Sequence, residues 1–215
     1  EAMTECMQNH YGNPSSIHRD GRSTRVIIEE ARKTIANELK ASIGEIFFTS
    51  GGTESNNMAL RCAVRDLGVT RIITTKIEHH CILHTVDALD RDQDIEVILL
   101  DCDEVGRTDL DQLEKLLSSD KQKTLVSIMH ANNEIGTIND LQRISDICKA
   151  HDTYLHSDTI QTMAHFPINV DQLHIHFISG SGHKFHGPKG AGFIYINNDV
   201  TIHPYIDGGS QERNM

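Results

Sequence analysis

Lys184 lies between His183 and His186 in SGSGHKFHGPKGAGFIYI, residues 179–196, a stretch rich in glycine and poor in bulk. Solubility does not require an amine in such a segment. A lysine amine beside a crevice is a nucleophile for carbonyl carbon, and small neighbours leave room for a ligand. Lys189 is the rival amine, but it follows Pro188 in a loop and has no histidine beside it. In TSGGTESNN, residues 49–57, Gly51 and Gly52 permit a sharp turn into a helix beginning near Thr53. Unpaired N–H groups and the macrodipole at such a helix start favour an anion. Taken alone, this segment reads rather as a plain capped turn, with Thr53 and Glu54 in its first residues. Asp158 closes the run TYLHSD. A carboxylate there can face a crevice and pair with a cationic ring nitrogen, or it can cap a helix or form an ion pair. Gln161, three residues on, is ambiguous by itself.

Taken together these groups converge on one cofactor. Pyridoxal phosphate needs a Schiff-base lysine, an acid for its pyridinium nitrogen and a phosphate cradle. Lys184, Asp158 and the Gly52–Thr53 turn supply all three. A second cluster, Glu78, His79, His80 and His84, invites a zinc reading, since imidazoles at helical spacing can share a face. It is not H-E-x-x-H, and no cysteine or carboxylate spacing completes a ligand set. No metal is therefore assigned, and a metal-binding hydrolase is the outlying reading. An imidazole stacked on an aromatic cofactor is the competing use.

Positioning such groups requires strands that end at one place. Short apolar runs alternate with helical stretches along the chain. The strand-like runs are EIFFT (45–49), RIITT (71–75), DIEVILL (94–100), TLVSIMH (124–130), TYLHSD (153–158), HIHFISG (174–180) and GFIYI (192–196). STRVIIEEARKTIANELK reads as a helix capped by its serine, with Ile28, Ala31, Ile35 and Leu39 on one face. The pattern predicts an α/β fold, a mostly parallel seven-stranded sheet flanked by helices. Open sheets of this kind bind ligands at the carboxyl ends of their strands. The polar clusters fall there: SGGTE, EHH, NNEIG, SDTIQ and SGHK each follow a strand.

With 215 residues and 38% hydrophobic content, the chain is long enough to bury a real core. Its net charge of −11 disfavours nucleic acid as a partner. No apolar run approaches a membrane span, and EAMTECMQNH lacks the apolar core expected of a signal peptide. The five scattered cysteines contain no C-x-x-C, and most read as small core residues in a reducing, cytoplasmic compartment.

The segments GNPSSIHRDGR, TSGGTESNN, EHHCILHT, HANNEIGTIND, HSDTIQ, SGHKFHGPKGAGFIYI and GGSQERNM resemble the pyridoxal-phosphate-dependent cysteine desulfurases, a class V branch of the fold-type-I aminotransferase superfamily. They occur in family order and cover nearly the whole chain. The resemblance implies that Lys184 holds the cofactor and shuttles protons at the substrate carbon. It implies a phosphate site of Gly52, Thr53, Ser181 and His183, and His79 stacked on the ring and assisting proton transfers. Asp158 would pair with the ring nitrogen, Gln161 would bond the ring hydroxyl, and Asn133 would line the ring edge. The implied reaction turns L-cysteine into alanine and places sulfur on a mobile cysteine of the enzyme. That sulfur feeds iron–sulfur clusters or thiolated cofactors and tRNA. A homodimer and a scaffold or sulfur-acceptor protein are the implied partners.

Three departures qualify the resemblance. No cysteine follows Cys148, whereas the family nucleophile lies beyond the ERxM segment. The arginine-bearing segment after that motif is also missing, and Thr159 replaces the usual alanine after the aspartate. Residues 1–215 are therefore expected to be the cofactor-binding large domain, with 1–22 as a lead-in and with the small domain and extreme N-terminus absent. The related alternatives are a selenocysteine lyase, another class V enzyme, or a domain that binds cofactor without turnover.

Overall fold

The computed structural model describes residues 1–215 except Ser210 and Asn214, so those two positions of the GGSQERNM motif lie outside the described residues. Seven strands form one sheet: β1 Ile46–Thr49, β2 Arg71–Thr75, β3 Glu96–Leu100, β4 Thr124–Ser127, β5 Tyr154–Asp158, β6 Phe177–Ser181 and β7 Gly192–Ile196. Their order is β1-β7-β6-β5-β4-β2-β3. β7 runs antiparallel to both neighbours, and every other pairing is parallel. The helices are α1 Ala2–Asn9, α2 Arg19–Leu39, α3 Gly52–Leu67, α4 His80–Gln93, α5 Leu110–Ser119 and α6 Leu141–Ala150.

The inner strands are buried on both faces because helices cover both, while the edge strands β1 and β3 are only partly buried. Ile73, Val126, Leu155, Ile178 and Phe193 join one apolar cluster with Ala36, Leu39, Leu113 and Ile144. Their chain neighbours Ile72, Leu125, Phe177 and Ile194 join a second with Ala59, Ala63, Ile82 and Val86. The alternation follows from the two-residue period of a strand.

The start of α2 differs from expectation. It begins at Arg19, capped by His18 Nδ1, which accepts the Gly21 N–H; Ser23 lies inside the helix. The buried face carries Arg32, Ala36 and Leu39, while Ala31 is exposed. Arg32 is buried because its guanidinium donates to Ile46 O at 2.7 Å and pairs with Glu212 at 2.8 Å. Apolar periodicity cannot anticipate a buried charge whose partner lies 180 residues away. Glu212 also accepts the Phe48 N–H at 2.7 Å, satisfying the outer edge of β1. Among the described residues, no helix is long and apolar enough to cross a membrane.

Candidate active site

The carboxyl ends of β1, β2, β4, β5 and β6 open onto a single cleft of about 190 Å³. Gly52 and Thr53 reach it from β1, His79 and Cys81 from β2, and Met129 and Asn133 from β4. Asp158, Ile160 and Gln161 follow β5, and His183 and Lys184 follow β6. Every strand end marked in the sequence contributes. Ser181 stands just behind, its Oγ 2.9 Å from His183 Nδ1.

One end of the cleft is the N-terminus of α3. Gly51 caps this helix at φ +156°, ψ −176°, a conformation that essentially only glycine adopts. The turn presses against β7: a Cβ on Gly192 would lie 2.6 Å from Gly51 Cα and 2.8 Å from Gly180 O. This packing aims the first N–H groups of a 16-residue helix into the cleft beside Thr53, Ser181 and His183.

The acid sits deeper. Asp158 is only 5% exposed. Its Oδ1 accepts the Ile160 N–H at 3.0 Å and its Oδ2 accepts the Asn56 amide at 2.7 Å. Burial raises its pKa; the Ile160 and Asn56 hydrogen bonds and the charges of His79 and Lys184 oppose that rise. A buried carboxylate on a cleft wall favours a cationic guest. Thr159 turns away, donating its hydroxyl to Ser179 O at 3.0 Å.

His79 is the N-cap of α4. Its Nδ1 accepts the Cys81 N–H at 3.1 Å and lies 3.0 Å from Cys81 Sγ. That sulfur is 3.2 Å from Asn56 Nδ2. Glu78, next to His79, turns inward to accept from Met129 N at 2.8 Å and Thr75 Oγ1 at 3.2 Å. Its other oxygen has no partner among the described groups, and burial, reinforced by Asp158, pushes its pKa up to about 8. His80 and His84 stack on each other at the surface with ring centroids 5.6 Å apart. Glu78 therefore points away from the imidazoles with which a metal site would have grouped it.

Asn133 lies on the rim, in a loop organised by Asn132, whose Oδ1 accepts from Glu134 N and Ile135 N. Lys184 is exposed. It sits in a single helical turn at the lip of the cleft, whose walls include the buried Asp158 and Met129. The core reading of the cysteines holds for Cys62 and Cys148, whereas Cys6 is exposed and Cys81 borders the cleft.

Asn56, Cys81, Met129 and Ile160 were missed by sequence reasoning. Asn56 left one trace: it is a polar residue on the same side of α3 as Ala59, Leu60 and Ala63, all fully buried. An amide kept among apolar residues signals a buried partner.

The family model for aminotransferase class-V matches residues 1–214. The cysteine desulfurase IscS of Dictyoglomus turgidum is 50% identical over 216 residues, covering all of this chain and 54% of that protein. The cysteine desulfurase IscS of Methanosarcina thermophila is 46% identical, covering 99% of this chain and 52% of that protein. The chain thus spans about half the length of the curated relatives it matches. Among solved structures, a NifS-like protein superposes with TM-score 0.93 at 40% identity, over 99% of this chain and 58% of that one. SspA in complex with cysteine gives TM-score 0.92 at 34% identity, over 99% and 62%.

Proposed function

Because the chain belongs to the aminotransferase class-V family, we propose that it is the cofactor-binding part of a pyridoxal-phosphate-dependent cysteine desulfurase. One observation carries this reading: Lys184, Asp158, His79 and the N-terminus of α3 border the same cleft. The residues present fit the cofactor. Asp158 is a buried acid on the cleft wall, and the α3 N-terminus offers unpaired N–H groups to a phosphate. Pyridoxal phosphate supplies an electrophilic aldehyde and an electron-accepting ring.

In this reading Lys184 provides the amine that holds the cofactor and then moves a proton at the substrate carbon. Asp158 keeps the ring nitrogen protonated, held by Asn56 and the Ile160 N–H. Gly52, Thr53, Ser181 and His183 bind phosphate, Gln161 orients the ring hydroxyl, and His79 lies against the ring. Asn133 lines the substrate side. The substrate is L-cysteine and the carbon product alanine. The bond from sulfur to carbon breaks, and sulfur passes to a thiol.

The two buried cysteines and the one bordering the cleft are poorly suited to receive that sulfur. Cys62 and Cys148 are buried, and burial pushes the Cys81 thiol up to about 11. The proposal therefore assigns the acceptor thiol outside these residues. A homodimer, a scaffold or sulfur-acceptor protein, a cytoplasmic setting and a role in iron–sulfur cluster supply belong to the same proposal. Met3, Met7, Tyr11 and Ile17 are exposed apolar side chains near the N-terminus, as suits a segment covered by protein.

Borohydride treatment of the protein mixed with pyridoxal phosphate is expected to fix the cofactor on Lys184, read by peptide mass. Lys184→Ala should lose the adduct and lower sulfide release from L-cysteine by about a thousandfold or more in the intact enzyme. The same adduct persisting in Lys184→Ala would overturn the assignment.

A further inference from the structure

The preceding reading puts His79 against the cofactor, so the proton on its ring becomes a question the structure can address. His79 Nδ1 caps α4 by accepting the Cys81 N–H at 3.1 Å. A peptide N–H can only donate, so Nδ1 must present its lone pair. The Cys81 sulfur is 3.0 Å from the same nitrogen. On its other side this sulfur meets Asn56 Nδ2 at 3.2 Å, and that nitrogen also reaches Asp158 Oδ2 at 2.7 Å.

The directions of these bonds are set from both ends. Asp158, ionised in the role given above, only accepts, which orients the Asn56 amide with its nitrogen toward the carboxylate. The second amide hydrogen then points to the sulfur, whose own hydrogen is left for Nδ1. Burial keeps that hydrogen on sulfur at neutral pH. Asn56 is fully buried and Cys81 partly buried, so water does not readily replace either donor.

We propose that Asn56 and Cys81 are positioning residues which, together with the α4 cap, hold His79 as the neutral tautomer protonated on Nε2. The imidazole then offers an N–H donor to the cleft, and its orientation is tied to that of Asp158. In this form His79 can direct an Nε2–H hydrogen bond into the cleft while Nδ1 keeps the helix cap. Accepting a proton at Nδ1 breaks the cap. The tie also explains why a polar amide is kept in the apolar packing between α3 and α4.

The test uses the intact protein with imidazole nitrogens labelled, at alkaline pH and without cofactor or substrate. The His79 signals are assigned by their loss in His79→Gln. The expected long-range proton–nitrogen pattern is that of the Nε2–H tautomer. Cys81→Ala keeps the backbone donor and loses the sulfur, and should raise the Nδ1–H fraction roughly threefold. Cys81→Ser, whose hydroxyl also donates, should restore the wild-type pattern. A majority Nδ1–H tautomer in the wild type, or an unchanged pattern in Cys81→Ala, overturns the proposal. Failure of Cys81→Ser to restore the pattern overturns the donor role of the sulfur. Because neither cofactor nor cysteine takes part, this result can fail while borohydride still fixes an adduct on Lys184, and the reverse.

Discussion

Glu78 shows how one buried carboxyl shapes the behaviour of its neighbours. It ties the end of β2 to the end of β4 through Met129 N and Thr75 Oγ1, one residue before His79. Burial raises its pKa from 4.5 to about 8. In that window the native state keeps a proton that the unfolded chain has released. The stability from this group is therefore full below about pH 4.5 and is lost as pH rises toward about 8. Glu78→Gln keeps an oxygen for Met129 N and removes the titration. The difference in unfolding free energy between variant and wild type, measured by denaturant titration, is expected to shift in favour of the variant from pH 5 to pH 8, by on the order of a few kcal/mol. A pH-independent difference would show that Glu78 is ionised in the native state.

The contact between the β1–α3 turn and β7 sets the geometry of the anion-ready helix start. Gly51 occupies a backbone region closed to other residues, and Gly192 lets the two chains approach to a distance no Cβ permits. Gly52 is different, because an added Cβ would meet only the flexible end of Ile160. Gly192→Ala must therefore push backbone against backbone. It is expected to cost about 2–3 kcal/mol and to weaken retention of pyridoxal phosphate, measured by cofactor titration. Unchanged stability and retention in Gly192→Ala would mean that the turn is not held by this packing.

The sheet as a whole is stitched by polar groups inside an apolar frame. His156 is fully buried in β5, with Nδ1 2.9 Å from Ser127 Oγ and Nε2 3.2 Å from Ser179 Oγ, so it joins three adjacent strands. Burial lowers its pKa to about 3 and that of His176 to about 4. On acidification the unfolded chain gains protons that the native state refuses. This stability is present above about pH 6.5 and is lost as pH falls, toward about 4 for His176 and about 3 for His156. The denaturation midpoint should drop across that range. His156→Gln should be less stable at neutral pH by roughly 1–2 kcal/mol and should show a shallower acid slope. An unaltered slope would assign the acid sensitivity elsewhere.

By itself the sequence determined the alternation of strands and helices, the seven strand positions to within a few residues, and the five polar loops that meet at the cleft. Each is local information: a two-residue or 3.6-residue period, a glycine turn, a polar cluster after an apolar run. The tertiary structure alone decided which groups stand behind those loops. Arg32 is buried against Glu212, Asn56 bridges Asp158 and Cys81, Glu78 turns inward, and Lys184 is exposed at the lip. Glu212 lies 180 residues from Arg32, Asp158 lies 102 and Cys81 25 residues from Asn56, and Met129 lies 51 residues from Glu78. Their burial depends on packing between elements, and no window of sequence contains both members of such a pair.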